Sequence, residues 1–131
     1  MPSKRPTDRF NDIIYNIDAI ARYTAGMTEQ QFLADTKTFD ATQHCLLRIS
    51  EAAKKLGALA KELAPDQPWA DIRGIGNRLR HEYDKIDRRQ IWATVADDLA
   101  PLRAACKQAV ADIHRGFERS PGKALRKGRK R

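Results

Sequence analysis

Apolar residues in this chain return every three or four positions from Phe10 to Ile113, and no segment alternates convincingly with period two. That rhythm lines up side chains on one face of an α-helix and gives a strand no face to bury, so the chain has to fold from helices. Phe10, Ile13, Ile14, Ile17 and Ile20 mark a first helix from about Asp8 to Ala25, ended by Gly26. Thr28 followed by Gln31 has the spacing of a capping box and opens a short second helix with Phe32 and Leu33. A third helix spans Thr36 to Leu56. Its stripe (Phe39, Leu46, Ile49, Ala53, Leu56) continues through Ala60 and Leu63, so an extension to Leu63 stays open until Pro65 and Pro68 impose a loop.

Trp69, Ile72, Ile75 and Leu79 carry the stripe of a fourth helix. Gly74 and Gly76 inside it each sacrifice about 1 kcal/mol of helix propensity relative to alanine, and close approach of another backbone is the simplest reason to keep them small. Asp87, with Gln90 at the capping-box position, starts a fifth segment anchored by Ile91, Trp92 and Val95. A sixth begins near Asp98, tolerates Pro101 in its first turn, and continues through Leu102, Ala105, Ala109 and Ile113. The expected fold is all-α, an antiparallel bundle of five to six helices.

The 131 residues suffice for one domain with one core. The net charge of +8 looks like a nucleic-acid signature until it is located. Residues 119–131 hold seven basic residues and no acidic one, leaving 18 basic against 17 acidic in residues 1–118. The expected organisation is therefore a nearly neutral helical domain over 1–118 and a basic tail over 119–131. The tail is expected to be disordered, with a role in holding RNA or a partner as the alternative. Cys45 and Cys106 stand alone, without ligand spacing to any histidine, so no disulfide, metal or cofactor is expected. No signal peptide and no run approaching the roughly 20 apolar residues of a membrane span can be read. A cytoplasmic protein away from membranes is the expectation.

The run Ile75 to Asp84, reading IGNRLRHEYD, is polar where a core segment would be apolar. It holds His81, whose imidazole class has an unperturbed pKa of about 6.5 and can both take and give a proton near neutrality. Guanidinium stays charged and grips phosphate oxygens as a fork. At about 100° per residue Arg78 and His81 lie within about 60° of each other on one helix face, so the pair can address one phosphate. Arg73, Asn77 and Arg80 are candidates for holding RNA beside them. From spacing alone such a pair more often marks a solvated face. His44 with Arg48 and His114 with Arg115 show the same pattern without further support. Glycine-rich nucleotide loops and HExxH or DxD carboxylate arrangements do not occur.

The run GNRLRHEYD, preceded by PDQPWADIRGI and followed by IW and DLAPL, resembles the HepT-like branch of the HEPN superfamily. The resemblance spans roughly residues 8 to 115 and takes in Ile49, Ser50, Glu51 and Ala52. It implies a two-fold dimer with two copies of the motif facing across a cleft. It further implies a metal-independent endoribonuclease, the toxin of a pair whose antitoxin is a minimal nucleotidyltransferase. His81 matches the catalytic histidine, Asn77 the polar residue after the motif arginine, and Tyr83 the tyrosine to which the antitoxin adds AMP. The position before Asn77, arginine in the family, is Gly76 here. Arg78 is the expected replacement in cis, with Arg73 or a second copy's arginine as alternatives. The competing expectation is a catalytically impaired HEPN module that dimerises and binds the nucleotidyltransferase.

Overall fold

A computed structural model describes residues 5–119, apart from the side chains of residues 83 and 117–119. The tail beyond residue 119 lies outside the described residues. The α-helices are α1 (Pro6–Thr24), α2 (Glu29–Ala34), α3 (Thr36–Leu56), α4 (Ala58–Leu63), α5 (Trp69–His81), α6 (Arg88–Ala93) and α7 (Leu99–Arg119). No strand forms among the described residues. α1 packs between α3 and α7, and α5 lies against α3. The core sits where these helices meet, with Phe10, Ile13, Ile17 and Ile20 from α1 against Leu46, Ile49 and Ala53 from α3 and Leu102, Cys106 and Ala109 from α7.

The punctuation follows local chemistry. Gly26 takes a left-handed φ of 75° after α1. The Thr28 capping box forms in full, the Gln31 amide donating to Thr28 Oγ1 at 3.2 Å and the Thr28 amide to Gln31 Oε1 at 2.9 Å. Asp35 caps α3 by accepting from the Thr38 amide and hydroxyl, both at 3.0 Å. These bonds to the ionised form hold its carboxyl below the usual range. Trp69 closes the proline loop, its indole N–H donating to the Ala64 carbonyl at 2.8 Å.

Three boundaries differ from the sequence expectation. The apolar phase does continue to Leu63, but Gly57 breaks the helix with φ 59° and ψ −137°, a conformation open to glycine, and α4 starts afresh in a new direction. Asp87 caps α6 through the Arg89 amide at 2.9 Å rather than through a reciprocal box with Gln90. No loop separates α6 from α7; a π-helical turn, Thr94–Asp98, joins them directly. Pro101 explains it: in α-geometry its ring presses on the carbonyl four residues back, at Asp97, and it has no N–H to return. A wider turn just upstream relieves that contact without ending the helix.

Two side-chain ties fix the outer helices. Arg103 of α7 grips Asp18 of α1 with two bonds of 2.7 and 3.2 Å, and this hydrogen-bonded guanidinium lowers the Asp18 pKa. Arg88 of α6 donates to the Leu33 carbonyl at 3.0 Å and Thr36 Oγ1 at 3.1 Å, its guanidinium 4.5 Å from the Phe39 ring centre.

Candidate functional site on α5

α5 meets α3 through Ser50. Its Oγ donates to the Arg73 carbonyl at 2.8 Å and accepts from the Gly76 amide at 3.1 Å, satisfying a fully buried hydroxyl on both counts. A β-carbon at Gly76 would stand 2.5 Å from Ser50 Oγ and 2.9 Å from Ser50 Cβ. Gly76 is therefore small because a side chain of α3, rather than a backbone, passes there. A β-carbon at Gly74 would meet nothing within 4 Å among the described residues, so no contact there explains it.

This crossing orients the rest of the helix. Trp69, Ile72 and Gly76 are buried, and Ile75 and Leu79 pack partly against the core. The opposite side carries Gly74, Asn77, Arg78 and His81, which fall within about 60° of the His81 direction. Asn77, Arg78 and His81 are exposed. His81 is the last residue of α5; Glu82 leaves helical geometry at φ −132° and ψ 32°, its amide still bonded to the Arg78 carbonyl at 2.8 Å. A 3-10 turn, Tyr83–Lys85, follows. The helix thus ends two residues before Tyr83, whose side chain lies outside the described set.

The other candidates separate. Arg80 turns toward α3 and pairs with Glu51 at 3.7 Å, so it is partly neutralised rather than free beside His81. Arg73 is half-buried and lines an open groove with Lys54, Gly57, Ala58, Lys61 and Glu62. The structure thus puts Arg78, Asn77 and His81 on one face and moves Arg73 and Arg80 off it. His44 accepts from Arg48 Nε at 3.3 Å within its own helix, and His114 is exposed on α7; neither gathers further groups among the described residues. Among the described residues no three His, Cys, Asp or Glu side chains cluster as metal ligands would. A basic last turn also complements the negative end of the helix dipole. That accounts for positive charge here, though not for an imidazole and guanidinium sharing one open face.

The chain matches the family model described as Ribonuclease HepT-like over residues 13–109, a span that contains all of α5. It belongs to the HepT-like ribonuclease family. A Thermococcus cleftensis protein named Probable ribonuclease HepT is 33% identical over 96 residues, 73% of this chain and 87% of the relative. A Methanocaldococcus jannaschii protein whose name proposes it as an RNase is 26% identical over 120 residues, covering 92% of this chain and 99% of that one. A similarly named Caldanaerobacter subterraneus protein is 27% identical over 105 residues, covering 80% and 94%. No solved structure matches. Within this HepT-like chain, Ser50 and Glu51 are the residues beyond α5 that shape the site, one seating the helix and the other holding Arg80. No sequence pattern connects Ser50 to Gly76, 26 residues away.

Proposed function

We propose that this HepT-like chain is an endoribonuclease in which His81 moves protons and Arg78 holds the scissile phosphate. The observation that carries the reading is the open face of α5, where an exposed imidazole and an exposed guanidinium share one side of the helix, opposite its packing on α3. In the proposed reaction a base takes the proton of the RNA 2′-hydroxyl as its oxygen bonds to phosphorus. The bond from phosphorus to the 5′-oxygen breaks, and an acid returns a proton to that leaving oxygen. The products are a 2′,3′-cyclic phosphate and a 5′-hydroxyl. Histidine suits either proton transfer, typically contributing about 10² to 10⁴ in rate. Arginine opposes the charge that builds on the phosphate oxygens, usually the larger effect.

One chain offers one imidazole on this face, so a two-fold homodimer bringing a second His81 across a cleft would supply base and acid together. The exposed face and the unexplained Gly74 upon it support that arrangement. The cytoplasmic toxin role, metal independence and addition of AMP to Tyr83 by a minimal nucleotidyltransferase antitoxin rest on the family resemblance. An interaction module without turnover is the second reading, favoured by Gly76 where the family has arginine. Incubation of the purified protein with single-stranded RNA in EDTA decides between them. Cleavage to 2′,3′-cyclic ends that vanishes in His81→Ala is expected. Equal activity in His81→Ala would remove the site, and a dimer that binds RNA without cutting it would favour the module.

A further inference from the structure

Three cations from three helices converge on one groove beside α5: Lys54 in the last turn of α3, Lys61 on α4 and Arg73 on α5, with Gly57, Ala58 and the single carboxylate of Glu62. The folded part of the chain is almost neutral, so this is a local excess rather than a share of general basicity. Four other surface cations are ion-paired: Arg5 with Asp8, Arg80 with Glu51, Arg103 with Asp18 and Arg115 with Asp112. No such ion pair reaches Lys54, Lys61 or Arg73 among the described residues. Lys54 could be assigned to the dipole of α3. The dipole of α4 likewise accounts for Lys61 in its last turn, but neither dipole accounts for Arg73 in the middle of α5 or for the three cations meeting on one groove.

The break makes the groove. With φ 59° and ψ −137° Gly57 redirects the chain, and α4 then places Lys61 on the groove that Arg73 also lines. Arg73 precedes His81 by eight residues, about 12 Å along the helix at 1.5 Å per residue. A dinucleotide bound at His81 would not reach the groove, whereas a longer strand laid along α5 toward its N-terminus would.

We propose that this groove is a phosphodiester-binding subsite that holds single-stranded RNA several nucleotides from the cleaved bond. The inference rests on the ribonuclease reading for its substrate and adds Lys54 and Lys61 as positioning residues. Both are exposed, so their substitution should leave the fold intact.

The test compares full-length protein, Lys54→Gln/Lys61→Gln and a charge-matched control, Lys37→Gln/Lys107→Gln, for binding of long single-stranded RNA in a His81→Ala background. Loss of two phosphate contacts should weaken binding several-fold and flatten the slope of log K against log salt by about 1.4, at about 0.7 per contact. The control should keep the parental slope. With His81 restored, KM for long RNA should rise at unchanged kcat, and cleavage of a dinucleotide should not change. A parental slope and affinity in Lys54→Gln/Lys61→Gln would overturn the subsite even if RNA is cut. So would a parent that does not bind RNA. Binding with the expected slope change but no cleavage would uphold the subsite and sink the ribonuclease reading instead.

Discussion

Replacing Gly76 by alanine tests the crossing on which the orientation of α5 depends. On helix propensity alone the change should stabilise by about 1 kcal/mol. Against it stands a β-carbon 2.9 Å from Ser50 Cβ and 2.5 Å from Ser50 Oγ, where carbon atoms settle at about 3.5 to 4.0 Å. Ser50 can rotate its hydroxyl but not its Cβ, so α3 and α5 must part. Overpacking of this kind costs about 1 to 3 kcal/mol. Separation also strains the two bonds of Ser50 Oγ, each contributing about 0.5 to 1.5 kcal/mol. The net expectation is a loss of about 1 to 3 kcal/mol, after subtracting the propensity gain. Gly74→Ala, measured at a concentration where the chain is monomeric, is the control, because it makes the same propensity gain and its β-carbon meets nothing within 4 Å among the described residues. Urea unfolding should therefore place the two alanine variants on opposite sides of the parent. Ser50→Gly removes the opposing β-carbon, so Gly76→Ala/Ser50→Gly should recover part of the loss as a favourable coupling of about 1 kcal/mol or more. Gly76→Ala as stable as Gly74→Ala, or strictly additive costs in the double variant, would refute the packing argument.

Thr42 is fully buried, and its Oγ1 has no hydrogen-bond partner among the described residues. An unsatisfied buried hydroxyl costs about 1 to 3 kcal/mol, so Thr42→Val, which keeps the branched shape, should raise the urea midpoint at unchanged slope; a lower midpoint would mean the hydroxyl is bonded. Burial pushes the Cys106 thiol up to about 12 from 9.0 and raises Cys45 as well. Between pH 9 and 12 the unfolded chain has released the Cys106 proton while the folded chain keeps it, so stability should fall as pH rises through that window. The fall approaches about 1.4 kcal/mol per pH unit for one group. Other groups titrate there too, so the quantity to read is the parent slope minus that of Cys106→Ala, and equal slopes would contradict the prediction.

The long helices were legible because each buries one face, and burial writes a period into the sequence: Phe10 to Ile20 and Trp69 to Leu79 need no partner to be recognised. Thr28 and Gln31 were legible for a related reason, since a capping box is complete within four residues. What escaped depends on relations the period does not encode. Ala60 and Leu63 keep the phase of α3, so nothing in the stripe announces that Gly57, just ahead of them, will take a positive φ. The π-turn at Thr94–Asp98 answers to Pro101, which lies downstream of the turn it widens. Arg73 and Arg80 read as neighbours of His81 along the helix. Their surroundings are set by α3 and α4, where Glu51, Lys54 and Lys61 wait.

Gly76 joins the two kinds of information. Read along the sequence, it is an arginine missing from a ribonuclease motif, and the loss counts against catalysis. In the fold, position 76 lies five residues before His81, about 140° around the helix, and faces Ser50 of α3. An arginine there would not join the open face in this chain; it would collide with the residue that seats α5. The departure from the motif and the close helix crossing are therefore one fact, a Gly76 and Ser50 pairing that admits a side chain at 76 only if the helices part. In the proposed reaction the positive charge must then come from the face His81 occupies, where Arg78 is exposed and carries no ion pair among the described residues. Arg78→Ala should accordingly cost more activity than Arg73→Ala. The reverse order, measured as kcat on a dinucleotide too short to reach the Arg73 groove, would return the role to Arg73 and undo this account of Gly76.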